Sequence, residues 1–333
     1  MPGIWWAKAT CRGVDLRLVP EGQLYMDRRI LYFINPISGT KAKSALRQMV
    51  ERRSAAAGID YSILPTEPDG NYDFLPDKIQ QDNITDIVIC GGDGTVNSVV
   101  SAIRGTAVQV GIVPMGSGNG LAFAAKIPSQ PAKALDIIFR GQASWVDAFT
   151  VNDRFSCMLC GIGFDALVAH EFAKEKTRGL QTYIRIAAMH FFKAKPYVFD
   201  IRVRDSAFST EAFFISIANS NQFGNHVTIA PQASLSDGLL DIVIVKKMNK
   251  FKLPFSVISQ VTGNNAIQEV SDYTGSKNII YLQTDQLLIG NPQLAPLHID
   301  GEPVASREVL DIRIISPCFR LLQPAKPEGP YIG

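Results

Sequence analysis

Cysteine is scarce. Five occur in 333 residues, at Cys11, Cys90, Cys157, Cys160 and Cys318, an odd set without regular spacing. That excludes a disulfide framework and predicts a reducing, cytoplasmic setting. Histidine is scarcer still. His170, His190, His226 and His298 show no metal-binding spacing, so each is expected to be structural. Neither sign of charge dominates, with 33 Lys and Arg against 31 Asp and Glu. No nucleic-acid partner is therefore expected. Unbroken apolar runs are also missing. Gly105–Ala125 carries no charge over a membrane-spanning length, but Pro114 and five glycines interrupt it, which excludes a transmembrane helix. Lys8 and Arg12 break the N-terminal stretch before an apolar core of signal-peptide length can form.

What remains is ordinary globular composition, 46% hydrophobic and 19% charged. The length suggests two domains at ~150 residues each. Residues 1–25 have no clear period and are expected to be a disordered extension, with the folded protein beginning near Met26. The run Arg28–Ile34 predicts a first strand. A helix over 41–57 follows, then a strand over Ile59–Leu64. Residues 66–76 are rich in Pro and Gly and predict a loop or broken helix. Strands are predicted at Ile84–Cys90 and Val108–Val113, each followed by a Gly-rich turn and a helix. Such alternation, with non-alternating apolar strands, is the pattern of an open parallel sheet.

The pattern changes near residue 144. Val198–Val203, Ala212–Ala218, Leu240–Val245, Ile279–Leu282, Pro296–Ile299 and Val309–Ile314 predict strands separated by turns. Helices are few: Phe164–Ala173, Gly179–Phe192 and a candidate at Phe251–Val261. The expected organisation is thus an α/β domain over 26–143, a mainly antiparallel β domain over 144–320 and a tail over 321–333.

Chemistry concentrates after the parallel strands. Cys90-Gly91-Gly92-Asp93-Gly94-Thr95-Val96-Asn97 follows a strand and opens a helix. Its glycines let a phosphate approach the backbone, and helix N-terminal amides favour an anion. Asp93 would repel phosphate, so it points to a metal ion or to a hydroxyl whose proton it accepts. The plainer alternative is an Asp-capped Gly-rich turn. Pro114-Met115-Gly116-Ser117-Gly118-Asn119-Gly120 follows the next strand, and Asn35-Pro36-Ile37-Ser38-Gly39 follows the first. Ligands gather at the carboxyl ends of parallel strands, so three such loops suggest a nucleotide. The pattern G-x-x-x-x-G-K-[ST] is absent, so the site would lack a P-loop lysine.

Three motifs carry weaker signals. Cys157-x-x-Cys160 could be redox-active or half a zinc site, but it lies in the apolar run Phe155–Cys160 and has no second ligand pair, which favours a buried structural pair. Gly161-Ile162-Gly163-Phe164-Asp165-Ala166 mimics a dinucleotide fingerprint, yet no repeated βαβ unit surrounds it. In Arg178–Lys193, helical spacing puts Leu180, Ile184, Ala187 and Phe191 on one face, flanked by Arg178, Arg185 and Lys193. That face is either core or a wall of a lipid site at a membrane surface.

Taken in order, Asn35-Pro36-x-Ser38-Gly39, Gly91-Gly92-Asp93-Gly94-Thr95, Pro114-x-Gly116-Ser117-x-Asn119, Gly163-Phe164-Asp165, Asp237-Gly238-Leu239-Leu240-Asp241 and Asp300-Gly301-Glu302 make the chain resemble the diacylglycerol kinase catalytic family. These lipid kinases include bacterial diacylglycerol kinases and sphingosine kinases. The resemblance implies an α/β nucleotide domain joined to an antiparallel β domain whose last strands return to the cleft. It implies ATP and Mg²⁺, a diacylglycerol or sphingoid-type lipid at the membrane surface, and peripheral membrane association. A homodimer is also compatible with it. By the same match, Asn35, Ser38, Thr66, Gly91, Gly92, Asp93, Gly94, Thr95, Val96, Asn97, Gly116 and Ser117 contact the nucleotide. Glu302 or Asp93 is the proton acceptor. Carbonyls of Ser234 and Leu239 with the Asp237 carboxylate hold a structural Mg²⁺, and Glu171 is a headgroup candidate. The rival readings are an NAD kinase, which shares a Gly-Gly-Asp-Gly turn, and a silent nucleotide- or lipid-binding protein. The Gly-Ser-Gly-Asn loop leans toward sphingosine kinases; the compact length and the Asp237–Asp241 turn lean toward bacterial diacylglycerol kinases.

Overall fold

A computed structural model of the chain describes residues 17–18, 24–25, 28–34, 40–175, 180–191, 193–222, 230–249, 267–268 and 277–325. Within the segment expected as an extension, β1 (Arg17–Leu18) and β2 (Leu24–Tyr25) pair antiparallel as a ribbon of their own. The helix predicted at Phe251–Val261 lies outside the described residues.

The first domain is built as its apolar runs predict. β3 (Arg29–Ile34), β5 (Asp86–Gly91) and β6 (Gln109–Pro114) are buried almost throughout, and β4 (Asp60–Pro65) covers the edge. The four pair parallel in the order β4-β3-β5-β6. Helices α1 (Thr40–Ala56), α2 (Leu75–Asp82), α3 (Asp93–Ile103), the short α4 (Gly120–Ala124) and α5 (Pro131–Arg140) connect them. Residues 66–74 form the expected loop, and α2, a helix the sequence pattern does not announce, overlaps that span only at Leu75 and Pro76. Pro76 stands in the first turn of α2, where its missing N–H costs nothing, so it starts the helix instead of breaking it.

The second domain comprises β7 (Gln142–Val151), β8 (Arg154–Ser156), β9 (Leu159–Gly163), α6 (Phe164–Lys174), α7 (Leu180–Phe191), β10 (Tyr197–Val203), β11 (Ser206–Ala218), β12 (Leu240–Lys246), β13 (Ile279–Thr284), β14 (Gln286–Gly290), β15 (Leu297–Ile299), β16 (Glu302–Val304) and β17 (Val309–Gln323). Its strands pair antiparallel. The 15 residues of β17 join the domains. The strand runs antiparallel to β7 along most of its length and then parallel to β6, matching Arg320 to Gln109 and Leu321 to Val110. Leu321–Gln323 therefore belong to the sheet and not to a tail. β7 likewise crosses the boundary placed at 143. A single hydrogen-bonded sheet thus runs through both domains.

The face of α7 differs from the helical-spacing expectation. Ile186 and Thr182 are buried, whereas Ile184 and Met189 are 57% and 61% exposed. Phe191 does turn inward, meeting Phe164 edge-on with ring centroids 6.3 Å apart.

Candidate active site

The Gly-rich loops sit side by side at the carboxyl ends of β5 and β6. Met115 donates its amide to the Gly91 carbonyl at 2.9 Å. The two backbones approach so closely that a Cβ on Gly116 would lie 2.6 Å from the Gly92 Cα, and one on Gly92 would lie 3.1 Å from the Gly116 Cα. Glycine at both positions is a packing requirement before it is a ligand requirement. Asn119 locks the third loop, the one after β6: its Oδ1 accepts the Gly116 amide at 2.9 Å and its Nδ2 donates to the Gly116 carbonyl at 2.8 Å.

Asp93 begins α3 and is half-buried. Burial pushes its carboxyl above the usual range, and the backbone amides of Asn119, Gly120 and Leu121 at the start of α4 oppose that rise. The carboxylate is thus tied to the third loop, so the capping and functional readings of Asp93 coincide. Thr66 is buried directly after β4. Thr95 packs on Gly91, and Val96 belongs to the core. Ser117 is exposed, and Gly94 faces open space. Asn97 does not face the loops. Its Nδ2 donates to the Phe155 carbonyl at 3.2 Å and its Oδ1 accepts the Cys157 amide at 3.1 Å. It clamps α3 to the second domain. Asn35 and Ser38 lie outside the described residues.

The second domain contributes a hairpin. Asp300 and Gly301 join β15 to β16 with φ of 49° and 82°, the two positive values that a type I′ turn requires. Glu302 follows, exposed to solvent. Asp300 Oδ1 accepts the Ser156 hydroxyl at 2.7 Å and the Leu159 amide at 2.9 Å, while its Oδ2 is buried without a hydrogen-bond partner. Burial pushes the Asp300 carboxyl up to about 6. Those two donors oppose the rise, and the charge of Asp93 adds to it. The hairpin and the Gly-Gly-Asp-Gly loop are therefore within electrostatic reach of each other. Sequence reasoning missed Asp300 itself as a site residue. Its signal was the Asp-Gly pair between two short strands, which announces a turn but not its surroundings.

The dinucleotide-like Gly161-Ile162-Gly163 is explained without a nucleotide. Its strand β9 pairs antiparallel with β11 and β15. A Cβ on Gly161 would fall on the Asp165 carboxylate and the His298 ring, and Gly163 has φ of 95° against the Phe213 carbonyl. Cys157 and Cys160 are fully buried, with thiols pushed up by burial. Among the described residues no cluster of three His, Cys, Asp or Glu could hold a metal. Glu171 is ion-paired to Lys174 at 2.7 Å, which lowers its carboxyl.

In the turn before β12, Asp237 Oδ1 accepts the Leu239 amide at 3.1 Å, and Ser234 Oγ accepts the Ser236 amide at 3.4 Å. Asp147 Oδ2, buried, accepts the Gly238 amide at 2.8 Å. Burial pushes the Asp237 carboxyl up, and the Asp147 charge adds to that. The turn thus sets the Asp237 and Asp147 carboxylates near each other, an oxygen-rich setting of the kind a hard cation takes.

A parallel α/β sheet ending in glycine loops, faced by an acidic hairpin from a β domain, defines a nucleotide-dependent phosphotransferase architecture. Residues 29–151 match the diacylglycerol kinase catalytic domain, and residues 159–321 match the YegS C-terminal NAD kinase beta sandwich-like domain. The chain belongs to the diacylglycerol kinase catalytic family and is a diacylglycerol kinase-like lipid kinase, for which ATP is the implied phosphate donor. A diacylglycerol kinase of Staphylococcus carnosus is 25% identical over 282 residues, covering 82% of this chain and 88% of that protein. The "Probable lipid kinase YegS-like" of Chromohalobacter salexigens is 26% identical over 257 residues, covering 75% and 80%. The crystal structure of a diacylglycerol kinase from Bacillus anthracis superposes with a TM-score of 0.67 at 17% identity, covering 90% of this chain and 97% of that one, which supports the fold.

Proposed function

We propose that the protein transfers the γ-phosphoryl group of ATP to a hydroxyl of diacylglycerol or a sphingoid-type lipid, with Glu302 as proton acceptor. The observation that carries this reading is the Asp300-Gly301-Glu302 hairpin set against the Gly92–Asp93 loop. Glu302 is exposed, and its carboxylate makes no hydrogen bond or ion pair among the described residues, which leaves it open to a substrate hydroxyl. Asp93, by contrast, is engaged by the α4 amides, which suits it to ordering the third loop. The amides around Gly92–Gly94 and of Ser117 bind and orient phosphates. Mg²⁺ supplied with ATP would neutralise phosphate charge. A second Mg²⁺, held by Asp237 and the carbonyls of Ser234 and Leu239, would brace the turn beside Asp147.

Exposed Ile184 and Met189 beside Arg185 on α7 suit peripheral contact with a lipid surface. Among the described residues no helix is long and apolar enough to cross a membrane. Radiolabelled ATP offered with diacylglycerol, sphingosine and NAD tests the reading. Label is expected in a lipid, and Glu302→Gln should lower turnover ~10²–10⁴-fold. Label in NAD alone, or full turnover in Glu302→Gln, would overturn it.

A further inference from the structure

The hairpin that carries Glu302 is held from beneath by a hydrogen-bonded chain buried in the second domain. The Gly301 amide donates to His298 Nδ1 at 3.2 Å. With Nδ1 accepting, a neutral imidazole carries its proton on Nε2. That nitrogen lies 3.2 Å from Asp165 Oδ2 and donates to it. The other oxygen, Asp165 Oδ1, accepts the Tyr183 hydroxyl at 3.0 Å. Residues from β15, α6 and α7 thus converge on one turn, and His298 and Asp165 are both buried. Two features mark the chain as built. Gly161 lies under it and leaves no room for a side chain. Tyr183 is pushed far above its ordinary range by burial and by Asp165, so its hydroxyl stays a donor.

We propose that His298 is a positioning residue for phosphoryl transfer: its Nδ1 fixes the Asp300-Gly301-Glu302 turn, while Asp165 and Tyr183 fix its ring. Asp300 is separately held by Ser156 and Leu159, so the turn is pinned at two successive residues by different partners. Asn97 clamps the Phe155–Cys157 segment that presents Ser156, which ties the same turn to α3. Losing the His298 contact frees the Gly301 peptide while Asp300 stays anchored. The carboxylate one residue further on is then the group displaced. A misplacement of about 1 Å costs ~10²-fold in rate.

The inference rests on the lipid-kinase reading of the cleft, and two isosteric variants test it. His298→Asn keeps an acceptor near the Nδ1 position but cannot reach Asp165. His298→Gln keeps a donor near the Nε2 position but offers Gly301 no acceptor. Amide hydrogen exchange at Gly301 should rise ~10-fold or more in His298→Gln and stay near the parent rate in His298→Asn. Lipid phosphorylation should follow the same order. His298→Gln should lose ~10²-fold in kcat with the KM for ATP within about twofold, and His298→Asn should lose under ~10-fold. If the two variants exchange alike at Gly301, or lose kcat only in proportion to a fall in Tm, His298 is a core residue and the proposal is wrong. Glu302→Gln assayed in parallel separates the two claims. Full activity there refutes Glu302 as acceptor, while the Gly301 exchange and kcat order still decide for or against His298.

Discussion

Gly94→Ala separates a phosphate site from a glycine-rich turn. A Cβ built on Gly94 meets nothing within 4 Å, and no left-handed φ is needed there. Gly94 is the second residue of α3, where alanine is the better helix former by ~0.5–1 kcal/mol. With no ligand the substitution should therefore be neutral or raise Tm by about 1–3 °C. If the loop cradles phosphate, the added methyl stands where oxygens meet the backbone. Losing one charge-assisted hydrogen bond costs ~1.5–3 kcal/mol, or about 10–150-fold in ATP affinity. The contrast is Gly116→Ala, whose Cβ would sit 2.6 Å from the Gly92 Cα where ordinary contact begins at 3.4 Å. The loops must part by nearly an ångström, at ~1–3 kcal/mol, so stability and ATP binding should fall together. Melting curves with and without ATP, and the KM for ATP, read out both variants. A Gly94→Ala protein that melts like the parent and keeps the parent KM for ATP would refute phosphate binding at this loop.

Three further expectations can be checked directly. Asp300 is pushed from 3.8 to about 6, so the folded state holds its proton more tightly than the unfolded chain does. Stability should fall as pH rises from about 4 to about 6, by up to ~3 kcal/mol, and urea titrations of Asp300→Asn should show a shallower fall than the parent. Full overlap of the two pH profiles would refute the buried-carboxylate assignment. Asp237→Ala should abolish most of the rise in Tm that excess Mg²⁺ gives the parent without nucleotide, leaving ATP affinity nearly intact; equal responses to Mg²⁺ would remove the cation from this turn. Gly161→Ala should displace the Asp165–His298 pair and destabilise the fold as a buried overpacking does, by ~1–3 kcal/mol, read as a lower Tm; an unchanged Tm would contradict the close approach.

The parallel half of the fold was legible because β3, β5 and β6 are covered on both faces, so their sequences are continuous apolar runs. Glycine loops at their carboxyl ends were legible for the same reason, since strand ends located them. β7 was not foreseen. Gln142, Ser144 and Asp147 give it a polar look, yet Asp147 is buried because it serves the Gly238 amide on another segment. The short helix α2 was not legible because a proline in a first helical turn and one in a loop look alike until the cap is seen. The exposure of Ile184 and Met189 on α7 is set by what packs on the other side, which spacing does not encode. Most of the site's second half is long-range in the same sense. Asp165 and His298 are 133 positions apart, and Ser156 and Asp300 are 144 apart. Nothing local in His298 distinguishes it from an ordinary core histidine.

Three carboxylates share the cleft edge, and their surroundings sort them. Asp93 is half-buried among the amides that open α4, which stabilise its charge but occupy its oxygens. Moving a proton onto it would weaken the order of the third loop at the moment phosphate is held there. The Asp300 carboxyl is buried, and two donors fix one of its oxygens. Its displacement toward 6 makes it easy to protonate, but its free oxygen is sealed from solvent. A group so enclosed is suited to shaping a turn and adding field to its neighbours. Glu302 alone is exposed, two residues from that anchored aspartate and one from the glycine held by His298. A proton acceptor must reach a mobile substrate hydroxyl and still stand in a fixed place. For Glu302 as the proposed acceptor, the reach would come from its exposure, and the fixed place from the buried partners of the two residues before it.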